Sequence, residues 1–401
     1  MAVLGFCGMI NLWEQHGATW DSYALIELYF KQNCTQEEII ALLEKNHGVI
    51  IKRRTLKRRM PWLGLRRNSI VESDINDICS AIVTELQSCG FNLGYRAMWQ
   101  KFLHVHKLRV KRDTVYKLLK IADPEGVEER KANRLKRRVF SSKGSNHIWS
   151  LDGYDKLKPF GFPIHGCIDR FSRYVLWLQY TTTNNDPKVP AYLFLQAVKK
   201  LKGLPTLVRT DAGTENVNIH SLQTCLRAGQ GDDLEGDKSY IVGRSVHNQR
   251  IESYWGQMRQ HSMDSYIHLF TTLKDNHEFD GSERDTKCLQ FCFASLIQSD
   301  LDKCRDLWNK HSIRKQNANN IHGKPYSMYH LPEKYGAQDC KKPVDLNAVD
   351  RLFPEFTEEP QLYDPFFAQQ ARYFFPNLRI PSNVDEALAL YRKLKQCMDE
   401  S

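Results

Sequence analysis

Three apolar runs of strand length follow one another from residue 148, and the chain then alternates helix and strand. Ile148–Asp152, Ile164–Ile168 and Tyr174–Thr181 read as consecutive strands, with Pro159-Phe-Gly161 and Arg170-Phe-Ser-Arg173 as turns. Val189–Leu201 is apolar at helical spacing, Thr206–Arg209 reads as a fourth strand, Ile219–Ala228 as a helix and Ser239–Val242 as a short fifth strand. A further helix opens near His247. Tight turns pair the first three strands antiparallel, whereas strands reached through a helix pair in parallel. The order therefore predicts an α/β domain on a five-stranded mixed sheet with flanking helices.

Three carboxylates occupy distinctive places in that order. Asp152 lies in Trp149-Ser-Leu-Asp152-Gly153, on the first strand. Asp211 lies in Leu207-Val-Arg-Thr-Asp211-Ala-Gly213, where the fourth strand gives way to a glycine turn. Glu252 lies in His247-Asn-Gln-Arg-Ile-Glu252-Ser-Tyr-Trp255. On that helix Ile251, Trp255 and Met258 make the buried face, while Glu252, Gly256 and Arg259 share a neighbouring stripe. A lone Asp or Glu is ordinarily solvated surface charge; here the weight comes from three in sequence on these elements. Transfer at a phosphodiester uses two divalent cations roughly 4 Å apart, one activating the attacking oxygen and one stabilising the leaving oxygen. Hard oxygen ligands suit Mg²⁺ or Mn²⁺. Asp152 would bridge two ions, and Asp211 and Glu252 would each complete one.

The charge is segregated. Residues 1–150 hold 25 Lys and Arg against 15 Asp and Glu, and the other 251 residues hold 32 of each. A basic front on a neutral body points to a polyanion partner. Residues 20–65 read as a small helical unit: an amphipathic Ser22–Phe30, a capping box at Thr35-Gln-Glu-Glu38, a stop at Gly48, and a basic helix from Lys52 ended by Pro61. This is the plan of a helix-turn-helix, with Arg53, Arg54, Arg58 and Arg59 offered to DNA. A solvated basic helix or a nuclear-import signal explains residues 52–59 almost as well. A second helical unit runs through Ile75–Leu86, Tyr95–Leu103 and Lys111–Leu119. The expected domains are 15–68 and 69–123 as helix-turn-helix units, 124–146 as a basic linker, 147–315 as the catalytic core with a helical extension, and 316–401 as a C-terminal extension. Within 284–312, Cys288–Leu296 and Leu301–Trp308 read as separate helical segments.

Some classes are excluded or disfavoured. No run of 18 apolar residues exists, so no membrane-spanning helix is expected. The opening MAVLGFCGMINLW lacks a basic n-region and a small-residue cleavage site, so a signal peptide is not expected. The 11 cysteines form no CxxC pair, and Cys288 and Cys292 sit in an apolar helical run, as buried thiols of a reducing compartment do. Cys79, Cys89, His104 and His106 lie in helical patterns without zinc-ligand spacing.

The phrase Gly94-Tyr95-Arg96 with Val110–Leu119 resembles the second helix-turn-helix of insertion-sequence transposases. The resemblance implies that Lys111, Arg112 and Lys117 face phosphate while Val115, Leu118 and Leu119 pack inward. Trp149-Ser-Leu-Asp152, Gly166-Cys-Ile-Asp-Arg-Phe-Ser-Arg-Tyr174, Arg209-Thr-Asp211-Ala-Gly213-Thr-Glu-Asn216 and Asn248-Gln-Arg-Ile-Glu252 together resemble the core of retroviral-type integrases and DDE transposases. The likeness spans about 147–265 and is strongest to integrase core domain proteins derived from mobile elements in animals. It implies a ribonuclease-H-like fold preceded by all-α helix-turn-helix units, with Asp152, Asp211 and Glu252 as the metal-binding catalytic triad. It further implies two Mg²⁺ (or Mn²⁺) ions, double-stranded DNA as partner, and water and then a DNA 3′-OH as nucleophile for nicking and strand transfer. A homo-oligomer and a nuclear location are implied as well, the latter also by basic clusters at 52–59 and 134–138.

Two departures mark this chain. Ala212 stands where many relatives have Asn, and forty residues lie between Asp211 and Glu252, more than in the retroviral pattern. Gly229–Gly236 accounts for that insertion, its acids reading as loop charge. Asp169 reads as a turn residue. His247, Asn248 and Arg250 stand beside the site to hold a phosphate or base, or Asn248 simply caps the helix. The functional alternatives are a domesticated nuclear DNA-binding protein without catalysis, and a nuclease without strand transfer.

Overall fold

The computed structural model describes residues 22–65, 72–87, 93–124, 142–182, 186–211, 213–243, 248–315, 321–356, 361–376 and 378–399. The opening segment, the basic cluster at 134–138, most of the expected linker, Cys89, Ala212 and His247 lie outside them. The chain's contacts divide into two compact units, 1–69 and 70–401.

The first unit holds α1 (Ser22–Lys31), α2 (Gln36–His47) and α3 (Arg53–Trp62). The capping box closes α2: Glu38 N donates to Thr35 Oγ1 at 3.2 Å, and Thr35 N donates to Glu38 Oε2 at 2.6 Å. Gly48 ends it in the left-handed region at φ +64°, where glycine escapes the Cβ clash. Leu25, Ile26, Tyr29, Ile39, Leu42, Leu43, Leu56 and Met60 are buried, as the amphipathic spacing requires. Pro61 does not stop α3, which runs on to Trp62. A proline in the last turn forfeits a single backbone bond, and Leu63 N still reaches Arg59 O at 3.2 Å.

The second unit opens with α4 (Ile75–Gln87), α5 (Tyr95–His104) and α6 (Arg112–Ala122), packed around Ile78, Ile82, Met98, Phe102, Val115 and Leu119. Buried Glu85 takes Lys101 Nζ and His106 Nε2, each at 2.7 Å. Burial pushes its carboxyl up, but the two donors outweigh it and the pKa lies below the ordinary value.

Strands β1 (Gly144–Ser145) to β6 then build the sheet region: β2 (Ile148–Tyr154), β3 (Ile164–Asp169), β4 (Val175–Tyr180), β5 (Leu207–Thr210) and β6 (Tyr240–Val242). The five-stranded mixed sheet has the order β4-β3-β2-β5-β6, antiparallel on the β3 side of β2 and parallel on the β5 side. Helices α7 (Lys188–Leu201) and α8 (Val217–Leu226) cover one face through Phe194, Leu195 and Ile219, meeting Trp149 and Leu151. Helices α9 (Gln249–Met258), α10 (Asp264–Asp275) and α11 (Glu283–Lys310) cover the other through Trp255, Phe270 and Phe293. Because side chains alternate along a strand, Trp149 and Leu151 enter the first layer while Asp152 and Tyr154 turn to the second.

The two segments expected within 284–312 are one 28-residue helix, α11. No Gly or Pro interrupts it, and buried Ile297 bridges the apolar patches, so the polar Ser299 and Asp300 mark its outer side and not a break. Between α9 and α10 the backbone adopts a π turn over Arg259–Met263, so α9 runs into α10 without a loop. The tail packs onto the same body. It comprises α12 (Pro325–His330), β7 (Gln338–Asp339, parallel to β1), α13 (Leu346–Leu352), α14 (Pro365–Phe374) and α15 (Val384–Asp399). Tyr329 OH donates to Asn146 Oδ1 at 2.6 Å, and Tyr391 OH to Asp285 Oδ1 at 2.6 Å.

Candidate active site

Asp152 sits on β2, the central strand, opposite Gly166 on β3 and only 8% exposed. Trp255, one turn after Glu252 on α9, reaches across Gly166 and donates from Nε1 to Asp152 Oδ2 at 2.9 Å. A Cβ at Gly166 would stand 2.6 Å from Cη2 of that indole, so the glycine makes the approach possible. Asp211 follows the last residue of β5, the strand parallel to β2. Its Oδ1 accepts Gly213 N at 3.3 Å and Asn216 Nδ2 at 3.4 Å. Glu252 stands on the exposed stripe of α9, with open space beside Gly256 one turn on.

The three carboxylates act on one another electrostatically. Burial pushes Asp152 up to about 7, the Trp255 bond opposes this, and the charges of Glu252 and Asp211 add to the rise. Burial and Asp211 also raise Glu252. Mutual repulsion in a partly desolvated pocket is what a bound divalent cation would relieve, and the donors are the hard oxygens such an ion takes. Among the described residues, however, no three His, Cys, Asp or Glu side chains converge closely enough to make a metal cage.

Residues given no role from sequence complete the surroundings. Glu215 lies above Gly213, where an added Cβ would come within 2.2 Å of its Oε1. Burial raises its pKa, with Asp211 and Asp155 adding to the effect. Buried Asn216 donates to Asp211 and, at 3.2 Å, to Glu215 Oε1. Helical spacing placed Trp255 in the core correctly but carried no sign of its polar contact. The clue was compositional: an indole one turn from a predicted ligand, facing a glycine in a strand.

The remaining candidates divide. Asn248 is not free to meet DNA: it is 2% exposed, and its Nδ2 donates to Leu151 O at 2.9 Å, tying the start of α9 to β2. It occupies the N-cap position but makes no side-chain cap bond. Arg250 is half-buried on the same turn. Arg54 and Arg58 are exposed on α3; Arg53 pairs with Glu37 at 3.0 Å. Arg59 donates to Ser22 Oγ at 2.9 Å and lies over the Tyr23 ring. Lys111 and Arg112 are exposed at the start of α6, and Lys117 pairs with Asp113 at 2.8 Å. Asp169 is not a turn residue but the fully buried last residue of β3, paired with Trp149; its carboxylate accepts from Ser172 N, Ser172 Oγ and Asn146 N and braces the turn that follows. In the inserted loop, Asp232 clamps the buried Arg227 guanidinium at 2.8 and 2.9 Å and pairs with Lys342. Those contacts hold its carboxyl far below the usual range.

A family model described as integrase core domain matches residues 139–330. Among solved structures, a chain of the simian T-cell lymphotropic virus intasome in complex with PP2A regulatory subunit B56 gamma is similar. The identity is 14% and the TM-score 0.31, over 63% of this chain and 74% of that one. No curated protein matches.

Proposed function

We propose, from the match of residues 139–330 to the integrase core domain model, that this protein nicks DNA and transfers strands through Asp152, Asp211 and Glu252. What supports the reading is electrostatic: Asp152 and Glu252, each raised first by burial, are both raised further by the charge of Asp211, and Asp152 also by that of Glu252. Integrase-type core domains generally use divalent metals. Here two Mg²⁺ or Mn²⁺ ions, when bound, would supply activation of the attacking oxygen and stabilisation of the leaving one. The protein's own part is positional. Trp255 fixes the orientation of Asp152, Asn216 that of Asp211, and the Asn248 bond to β2 sets the distance of Glu252 from both.

DNA is the proposed partner, gathered by the exposed arginines of α3 and the start of α6 acting as helix-turn-helix readers. Assembly as a homo-oligomer and residence in the nucleus belong to the same proposal, since joining two DNA ends calls for more than one active site. No helix among the described residues is long and apolar enough to cross a membrane.

A second reading, a DNA-binding protein that keeps the fold without the chemistry, is favoured by the absence of a closed metal cage among the described residues. Supercoiled DNA and Mn²⁺ separate the two. The first expects nicked product that Asp152→Asn abolishes. Equal product from both proteins, or none from either across several DNAs with binding intact, would leave the second.

A further inference from the structure

A cavity of about 390 Å³ opens between α5, the start of α6, the end of α9 and the C-terminal end of α11. Its walls include Arg96, Trp99, Arg112, Gln257, Trp308 and Arg314. Gln257 lies five residues beyond Glu252 on α9, about 7.5 Å farther along the helix axis. Five residues also turn Gln257 about 140° around the axis from Glu252, so the cavity is separate from the carboxylates, and no step described above uses it.

Its chemistry is specific. The Arg112 guanidinium lies 4.3 Å from the centre of the Trp99 ring, a cation–π stack already assembled. Trp99 is held by its Nε1 bond to Val110 O at 2.7 Å, and Trp308 by its Nε1 bond to Arg173 O at 2.7 Å. Both indoles are thus fixed before any ligand arrives, which lowers the ordering cost of binding. His261 and His311 also face the space; burial pushes His261 down to about 4 and lowers His311 as well. The positive charge of the walls therefore belongs to the three arginines, and no acid lines the cavity among the described residues.

A planar π system beside fixed cations selects a ligand with a flat ring and an attached anion. Nucleobases stack on aromatic side chains and on guanidinium planes in this way, with the phosphate left to arginine. The volume is on the scale of a small-molecule site and has room for one nucleotide. We infer that this cavity receives a single unpaired nucleotide of a DNA strand whose backbone runs past the carboxylates, its base extending the Arg112–Trp99 stack and its phosphate among Arg96, Arg112 and Arg314. The inference rests on the DNA-processing reading for its source of strand, but its test does not require catalysis.

The experiment uses the full chain carrying Asp152→Asn, without metal, titrated with a short single-stranded oligodeoxynucleotide containing 2-aminopurine. Stacking is expected to quench the probe. Arg112→Gln should remove the quench and weaken binding about tenfold, the scale of one lost base stack. Arg314→Gln should weaken binding and keep the quench, and Lys393→Gln, on α15 and outside the cavity walls, should change neither. Circular dichroism melts confirm that each variant is folded; Arg112, Arg314 and Lys393 are all exposed. Quenching that survives Arg112→Gln overturns the inference, as does equal weakening by Arg112→Gln and Lys393→Gln. Competition by deoxyadenosine monophosphate as strong as by the oligonucleotide overturns it too, since the site would then take free nucleotide. Intact quenching with no nicking by the wild-type chain would remove the proposed function and leave this site standing; nicking without quenching would do the reverse.

Discussion

Trp255 Nε1 donates to Asp152 Oδ2 across 2.9 Å, over a glycine on the adjacent strand. The carboxylate most in need of compensation, buried and pressed by two like charges, is thereby held by a neutral donor that keeps its orientation fixed. The same helix presents Glu252 one turn earlier, so a shift of α9 moves two of the three acids' environments together.

Trp255→Phe keeps most of the ring and removes the N–H. Losing a hydrogen bond to a buried carboxylate costs about 1–3 kcal/mol. Metal-dependent nicking should fall by roughly 10- to 100-fold, with its alkaline-side onset moved to higher pH. A variant with unchanged rate and pH onset would show that the contact is only packing. Gly166→Ala, which drives a methyl group toward the same indole, should reproduce the defect while leaving every carboxylate in place.

The metal-free protein should lose stability as pH rises between about 4 and 7. The folded Asp152 carboxyl keeps its proton up to about 7, whereas a carboxylate in the unfolded chain releases it near the ordinary 3.8. The folded state binds more protons across that window, so the slope is negative. The total is at most about 4 kcal/mol, reduced by whatever charge rearrangement Asp211 and Glu252 allow. Thermal melts in chelator should show Tm declining across this range. Asp152→Asn should flatten the profile and Mn²⁺ should reverse it; a flat profile in the parent chain would contradict the raised pKa.

Asn248→Ala removes the tie between α9 and Leu151 O. An unpaired buried carbonyl costs about 1–3 kcal/mol, and Glu252 loses its registry with Asp152. Denaturant melts should show the stability loss, and nicking should fall further than stability alone accounts for. Full activity in the folded fraction would reduce Asn248 to a purely structural role.

DNA affinity should depend steeply on salt, and the four arginines of α3 should not be equal. Alanine at Arg54 or Arg58 should each reduce the log–log slope by about 0.9. Arg59, engaged with Ser22 and Tyr23, and Arg53, paired with Glu37, should give smaller changes. Four equal effects, or none, would count against α3 as the DNA-facing helix.

The sheet and its helices were legible because their signals are local. Alternation in Trp149–Tyr154, the capping box at Thr35 and the turn at Gly48 each depend on a few adjacent residues. The placement of the three acids, within a strand, just after a strand end and in the first turn of a helix, was legible for the same reason. What stayed hidden depends on pairs far apart in the chain. Asn248 reads equally as a cap or a DNA contact, and its bond to Leu151, 97 residues away, carries no sequence signal. The indole of Trp255 reads as core until Asp152 is found beneath it. The unity of α11 and the cavity beside Trp99 likewise come from tertiary packing, which periodicity does not encode.

The two amides that α11 sends to β4 limit how copies of this chain can join. Gln298 accepts from Tyr180 N at 2.9 Å and donates to Leu178 O at 3.2 Å, while Asn309 accepts from Val175 N and donates to Val175 O. Hydrogen-bonding groups on the outer rim of the sheet are thus already spoken for by side chains at both ends of the strand. A neighbouring chain docking a strand along this rim would first have to displace those two amides, so among the described residues the open rim of the five-stranded sheet is the three-residue β6.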